Sequence, residues 1–238
     1  TNNNDGVLCA GDNATLDAGA FASYVWSTSP TDTDQTLVVD APGTYTVTVT
    51  DSNGCTGTGE ATISNTALPT PTITITETSG VMPNDGTICS GDNAVLDAGG
   101  SFTAYAWSDG VSIIGNTQTL TVTNPGLYLL TVTDANGCQG QASTTVVVDP
   151  LPMPTITVSE TSGIMDDDGI ICTGDVAVLD AGMFSSYVWS TSPTDTDQTL
   201  SVTAGGTYTV SVTDGNGCIA DAVSTTLEIS SSVAQPTI

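Results

Sequence analysis

The 238-residue sequence predicts an all-β protein made of three antiparallel β-sandwich units joined end to end. Its clearest stretch is Gly43–Thr50, where a tyrosine and two valines alternate with threonines, the period-two pattern of a strand with one apolar face. An Asp-Ser-Asn-Gly turn and Cys55 follow, and the same strand, turn and cysteine return at 126–138 and 206–218. Because no segment has a sustained helical period, three copies of one β unit account for the chain.

Short proline-rich joints at 67–71 and 150–154 divide the chain. They predict a first unit at 1–66, a second at 70–149 and a third at 154–238. Proline fixes φ and stiffens a linker, so we expect neighbouring units to have limited swing.

The second unit gives the fullest strand pattern, with Gly, Asn, Asp or Pro in most gaps. The predicted strands are Thr72–Thr76, Thr87–Cys89, Ala94–Asp97, Ala104–Trp107, Thr117–Thr123, Tyr128–Thr133 and Ser143–Val148. About seven short strands at this spacing are typical of a two-sheet sandwich. Each unit has one tryptophan two residues after a tyrosine, which predicts a buried aromatic anchor; these tryptophans are Trp26, Trp107 and Trp189.

The first and third units are of one type (X) and the second of another (Y). The X-type loop at 28–34 returns letter for letter at 191–197, and the second unit lacks it. The first unit also lacks the Pro-Thr-Ile-Thr segment that opens the other two, so we expect its first strand to be missing. The chain ends on Pro236-Thr-Ile238, the opening letters of that segment. Two explanations fit: a window of a longer array, or a strand that one chain supplies to the next.

The charge balance is extreme, with 26 acidic residues and no Lys, Arg or His. Each carboxylate must therefore be hydrated, hydrogen-bonded to N–H or hydroxyl groups, or bound to a metal ion. A surface of this charge repels nucleic acid and anionic membranes, so we expect neither as a partner. Without a basic side chain, acid–base or nucleophilic catalysis also has little support, and we expect no enzyme activity.

Six cysteines fall two to a unit at nearly constant spacing: Cys9 and Cys55, Cys89 and Cys138, Cys172 and Cys218. An even count at fixed spacing predicts one disulfide within each unit and an oxidising compartment.

Calcium is the one ligand that the composition favours. Oxygen donors recur in the turn that opens each unit and after the first cysteine, and the candidate ligands are Asp5, Asp12, Asp85, Asp92, Asp166, Asp167, Asp168 and Asp175. An ion there would stiffen a joint if the opening turn of one unit met a loop of its neighbour. The competing interpretation is that Asp-Gly and Asn-Gly simply form turns. A chelator titration that left the melting temperature unchanged would remove the calcium hypothesis.

The closing motif Gly-Thr-Tyr-Thr-Val-Thr-Val-Thr-Asp-x-Asn-Gly-Cys resembles that of PKD-like and SprB-type repeats. The opening motif at 88–98 and 171–181 resembles related Ig-like modules of large Bacteroidetes surface proteins. The resemblance implies a secreted, cell-surface structural array that forms the stalk or filament of an adhesin, with neighbouring repeats or copies of itself as partners. The rival hypothesis is a glycan- or protein-binding module that uses the X-type loop at 28–34 and 191–197.

Overall fold

The computed structural model describes residues 5–27, 32–80, 82–161, 167–190 and 195–230. All regular elements in these ranges are β-strands, and no helix long and apolar enough to cross a membrane occurs among them. The first repeat has the strands β1 (Val7–Cys9), β2 (Ala14–Asp17), β3 (Ser23–Trp26), β4 (Thr36–Val39), β5 (Gly43–Thr50) and β6 (Thr56–Thr66).

The second repeat has the strands β7 (Thr74–Thr76), β8 (Thr87–Cys89), β9 (Ala94–Asp97), β10 (Ala104–Ser108), β11 (Ile113–Gly115), β12 (Thr119–Val122), β13 (Gly126–Thr133) and β14 (Gln139–Asp149). The third has the strands β15 (Thr157–Ser159), β16 (Ile170–Cys172), β17 (Ala177–Asp180), β18 (Ser186–Trp189), β19 (Thr199–Val202), β20 (Gly206–Thr213) and β21 (Val223–Ser230). The seven strands predicted for the second repeat are all present, although β7 begins at Thr74. Strand β11 was not predicted.

Each repeat contributes two sheets. The larger sheets have the orders β1-β6-β5-β3, β11-β10-β13-β14-β8 and β16-β21-β20-β18. The smaller sheets have the orders β2-β4, β12-β9-β7 and β15-β17-β19. In every larger sheet the short strand that ends at the first cysteine of the repeat (β1, β8 or β16) pairs in parallel with the far end of the closing strand (β6, β14 or β21). The closing strand pairs antiparallel with β5 in the first repeat and with β20 in the third. These sheets form Ig-like sandwiches, so the predicted all-β class is confirmed.

The predicted apolar face of β5 is confirmed, because Tyr45, Val47 and Val49 are buried while the intervening threonines are exposed. The tyrosine hydroxyl donates a hydrogen bond to the carbonyl oxygen of Ala41, 2.7 Å away. This bond, from a tyrosine near the start of the strand to the backbone just upstream, is the tyrosine corner of Ig-like folds. The predicted tryptophan anchors are also buried, with 4 %, 0 % and 1 % exposure for Trp26, Trp107 and Trp189.

The first repeat differs from the third in the smaller sheet. In the third repeat β17 lies between β15 and β19, and Ala177 and Leu179 are fully buried. In the part of the first repeat that the structure describes, β2 pairs only with β4, and Ala14 and Leu16 are half-buried. No described strand therefore pairs with the other edge of β2.

The chain divides into two compact parts whose boundaries differ from those of the repeats. One contains 1–74, 97–120 and 127–144, and the other contains 75–96, 121–126 and 145–238. The three predicted unit boundaries are not tested by this division and stay a prediction.

Candidate functional site

The cysteines form two disulfides, each of which joins two successive repeats. Cys9 of the first repeat bonds Cys138 of the second, and Cys89 of the second bonds Cys218 of the third. Both pairs are 129 residues apart in sequence, so the same joint is built twice. The first bond lies within one compact part of the chain and the second within the other.

The predicted pairing within each repeat is wrong, and the length of the closing strand explains why. Cys55 directly precedes the 11-residue strand β6, whereas Cys9 lies beside Thr66 at the other end of that strand. At about 3.3 Å per residue these positions are roughly 36 Å apart. A disulfide needs Cα atoms within about 7 Å, so the two cysteines of one repeat cannot meet.

Two predicted disulfide residues, Cys55 and Cys172, are outside these two bonds. Cys55 has an exposed thiol, while Cys172 is half-buried. In place of one disulfide within each repeat, the structure has disulfides between the first cysteine of one repeat and the second cysteine of the next.

The proline-rich linker also packs against the following repeat. At the first joint, a Cβ on Gly140 of β14 would overlap the carbonyl oxygen of Pro69. Gly57 holds the same position in β6 of the first repeat, one residue after Thr56, and a Cβ there would meet only Val49 Cγ2 at 3.8 Å. The glycine at 140 therefore permits close backbone approach of the linker, and the glycine at 57 has no described linker against it.

Two glutamates that a sequence reading would place in solvent are buried, with 3 % exposure for both Glu77 and Glu160. Glu77 Oε1 accepts a hydrogen bond from the N–H of Asp85 at 3.1 Å, and its Oε2 accepts one from Ser79 at 2.9 Å. Glu160 Oε1 likewise accepts one from the N–H of Asp168 at 3.1 Å. Backbone N–H groups thus donate the hydrogen bonds that Lys or Arg side chains would otherwise give. These bonds fix the end of β7 or β15 to the turn that follows it.

The structure places the predicted calcium ligands in turns. The carboxylates of Asp5, Asp85 and Asp168 each accept a hydrogen bond from the N–H two residues on, at 2.7–2.9 Å. The carboxylate of Asp167, a residue with φ of 61°, accepts one from the N–H of Glu160.

The remaining candidates are Asp12, Asp92, Asp175 and Asp166. The first three donate their N–H groups to the carbonyl of the cysteine three residues before, and Asp166 lies outside the described residues. Within the described ranges no group of three or more acidic, Cys or His side chains could hold a metal, so calcium stays a prediction.

An opening turn and a loop of the next repeat, which the calcium hypothesis expects to meet, line one cleft at the second joint. At the second joint, a cleft of about 470 Å³ is lined by Asp85 of the opening turn, Asp149, and Asn216 of the next repeat's hairpin. The cleft also borders the disulfide cysteines Cys89 and Cys218. An opening turn and a neighbour's hairpin thus share one concave surface with two carboxylates.

The X-type loops at 28–34 and 191–197 are described only from Asp32 and Asp195 onward. Their described ends are held by the core tryptophans, since the indole N–H groups of Trp26 and Trp189 donate to the carbonyls of Asp34 and Asp197 at 2.9 Å. The rest of each loop lies outside the described residues.

Hydrogen bonds favour the charged form of several turn carboxylates. The side chain of Gln35 and the N–H of Gly19 lower the pKa of Asp17, and the N–H groups of Cys55 and Asn53 lower the pKa of Asp51. Both carboxylates therefore stay ionised to a lower pH than an ordinary aspartate, and they continue to accept the hydrogen bonds of their turns in mild acid.

In the first repeat an apolar cleft of about 620 Å³ lies beside β2, β5 and β6. Its walls include the core residues Leu16, Trp26, Val47 and Val49, and Cys55 lies on it. A second cleft of about 650 Å³ lies between β1, β2 and the end of β6. The cleft at Cys55 and the two disulfide joints are the candidate functional surfaces of the described chain.

Three solved structures to which the chain is similar have TM-scores below 0.5 and identities of 14 % or less. A Ca²⁺-stabilised adhesin that helps an Antarctic bacterium reach out and bind ice has 14 % identity and a TM-score of 0.47, with 98 % of this chain and 73 % of that chain covered. Fibronectin(III)-like modules of Clostridium thermocellum CbhA have 12 % identity and a TM-score of 0.36, covering 67 % of this chain and 95 % of that one. The insect immune protein hemolin has 12 % identity and a TM-score of 0.32, covering 94 % and 73 %.

No protein-family model and no curated protein matches the chain. The resemblance to PKD-like and SprB-type repeats therefore stays a prediction.

The linker contact predicts opposite outcomes for one substitution at two equivalent positions. Gly140→Ala should lower the free energy of unfolding by about 1–3 kcal/mol, because the new methyl overlaps the Pro69 carbonyl. Gly57→Ala should be neutral or stabilise by up to about 1 kcal/mol, since its methyl has room and alanine restricts the unfolded chain. Denaturant titration of both variants tests this. Equal effects at the two positions would contradict a linker seated on β14.

Proposed function

We propose that the chain is part of an extracellular structural repeat array, the stalk or filament of a cell-surface adhesin. The observation that carries this proposal is the repeated cross-repeat disulfide, with the same 129-residue separation at both joints. Disulfides of this kind persist in oxidising environments outside the cytosol, which supports secretion.

The disulfide pattern suits a part that bears tension. The chain segments closed by the two bonds, 9–138 and 89–218, overlap between Cys89 and Cys138. Unfolding alone therefore cannot separate the bonded cysteines at either joint. In the loaded chain a pull on the ends passes from Cys9 to Cys138, back to Cys89 and across to Cys218. The overlapping loops therefore limit how far the array can lengthen.

The surface chemistry fits the same role. Without Lys or Arg, the chain offers no cleavage site to proteases that require a basic side chain. A net charge of −26 keeps a stalk of this kind in solution. We include PKD-like or SprB-type membership, and association with further repeats or copies of the chain, in this proposal.

Calcium binding is the finer part of the proposal, and the cleft with Asp85 and Asp149 is where we place it. Calcium needs six to eight oxygen ligands, so carbonyl oxygens and water must complete a site built on two carboxylates. A chelator titration tests this site: removal of calcium should lower the melting temperature of the chain. The Asp149→Asn variant should no longer respond to calcium.

A pulling experiment tests the load-bearing role. Between Cys9 and Cys218 the backbone extends to about 700 Å when reduced, but the shortest covalent path with both disulfides closed extends to about 170 Å. Single-molecule stretching from the termini should therefore give far shorter unfolding extensions without reductant. The Cys9→Ser, Cys89→Ser double variant should extend like the reduced chain. Equal extension with and without reductant would contradict the proposal.

The rival binding function of the X-type loop has no described contact in its favour and stays a prediction. Glycan-array binding that is lost when the loops at 28–34 and 191–197 are replaced would support it.

A further inference from the structure

The larger sheet of the second repeat has apolar side chains on its outer face, where the other two repeats have threonines. Leu127 and Leu129 of β13 are exposed, while Tyr128 and Leu130, which alternate with them, are buried. Strands β5 and β20 have the same alternation, with threonine at the two outer positions: Thr44, Thr46, Thr207 and Thr209. The fold therefore does not need leucine at these positions.

Strand β11, which among the described strands has no equivalent in the other repeats, extends this face. In β10, Ser108 pairs with Leu129 on one side and with Ile113 on the other, so these three side chains lie on one face of the sheet. On the same hairpin, Val111 and Ile114 are also exposed. The exposed apolar side chains of this region are here called the Y face: Val111, Ile113, Ile114, Leu127 and Leu129.

The Y face also lies in an uncharged part of the sequence. The longest stretch of the chain without an acidic residue is 110–133, and it contains all five of these side chains. The corresponding stretches of the first and third repeats contain the acidic X-type loops at 28–34 and 191–197. Two copies of a chain with a net charge of −26 and no cation repel each other wherever carboxylates face carboxylates. The Y face is therefore a surface at which a second copy can approach with little repulsion.

A bulge in β11 determines how such a contact is made. Trp107 pairs with Gly115 and Ser108 with Ile113, so Ile114 has no partner residue in β10 and the strand bends there. A bent edge of three residues is a poor template for an added strand, so the contact is made by side chains on the face of the sheet. A second copy supplies an equally apolar and uncharged face, and a two-fold axis places each Y face against the other.

We propose that the Y face is a self-association surface that packs against the Y face of a second copy of the chain, as two sheets pack about 10 Å apart in a sandwich. Five side chains are far fewer than the roughly 20 residues a side of a stable interface, so one pair of faces binds weakly. In the structural array proposed above, on which the biological role of this contact rests, many such pairs add up and join arrays side by side. The surface itself is inferred from the second repeat alone.

Sedimentation equilibrium of the whole chain tests the proposal. The exposed Cys55 thiol is alkylated first, so that no disulfide forms between copies. We expect a reversible equilibrium between monomer and dimer at chain concentrations up to about 1 mM. The dimer should be tighter in about 0.5 M than in about 0.05 M NaCl, because salt screens the repulsion between the two acidic chains and leaves the apolar contact intact.

The double variant Leu127→Thr, Leu129→Thr gives β13 the outer side chains that β5 and β20 already have, so it should fold as the unchanged chain does. We expect it to dimerise at least about tenfold more weakly, since a symmetric dimer buries each leucine twice. The matched control is the double variant Val25→Thr, Val188→Thr, which removes valines of 50 % and 53 % exposure from β3 and β18. It should dimerise like the unchanged chain, and melting temperatures verify that both variants are folded.

Three outcomes would overturn the proposal: a chain that stays monomeric at both salt concentrations, equal association of the leucine variant, or an equal loss in the valine control. Association that continues beyond dimers would also contradict it, because two faces related by a two-fold axis close on each other. A monomeric chain would leave the Y face to a different apolar partner. None of these results alters the extension measured in the pulling experiment, so the two proposals fail separately.

Discussion

The length of the closing strand determines how the chain is held together. Strands β6 and β14 are both 11 residues long, with a cysteine just before the start and the other cysteine of the repeat beside the end. Since about 36 Å of extended backbone separates these positions, the two cysteines of one repeat cannot bond each other. The length of one strand within a sandwich is therefore the reason that the disulfides join successive repeats.

The absence of cations imposes a second constraint, which backbone donors meet. Asp51 accepts the N–H groups of Asn53 and Cys55 at 2.8 and 2.9 Å, and Asp134 and Asp214 repeat this turn. Buried Glu77 and Glu160 are satisfied in the same way, and no buried side-chain N or O atom lacks a hydrogen bond in the described part of the chain. Carboxylates here shape turns and fix strands, which explains how so acidic a chain folds without basic side chains.

Local patterns were sufficient for the strands and the core. The alternation in β5 and the placement of Trp26 two residues after Tyr24 correctly predicted buried faces, because both depend only on the period of a strand. Strand β11 was missed since it follows a turn made by the carboxylate of Asp109, which accepts the N–H groups of Val111 and Ser112.

The disulfide pairing could not be found from spacing within a repeat, because it depends on the parallel pairing of β1 with the far end of β6. A signal was nevertheless present, since first and second cysteines of successive repeats share one separation of 129 residues. The burial of Glu160 also has a counterpart in the sequence, since the second and third repeats both have a glutamate eight residues before the last aspartate of the opening turn. Both patterns relate residues that lie in different repeats or on either side of a turn, so predictions made one strand at a time could not include them.

Disulfide mapping tests the central claim most directly. Because the chain has no Lys or Arg, non-reduced protein should be cleaved at acidic residues and the linked peptides identified by mass spectrometry. The account predicts linked peptides that contain Cys9 with Cys138 and Cys89 with Cys218. Linkage of Cys9 with Cys55, or of Cys89 with Cys138, would contradict it.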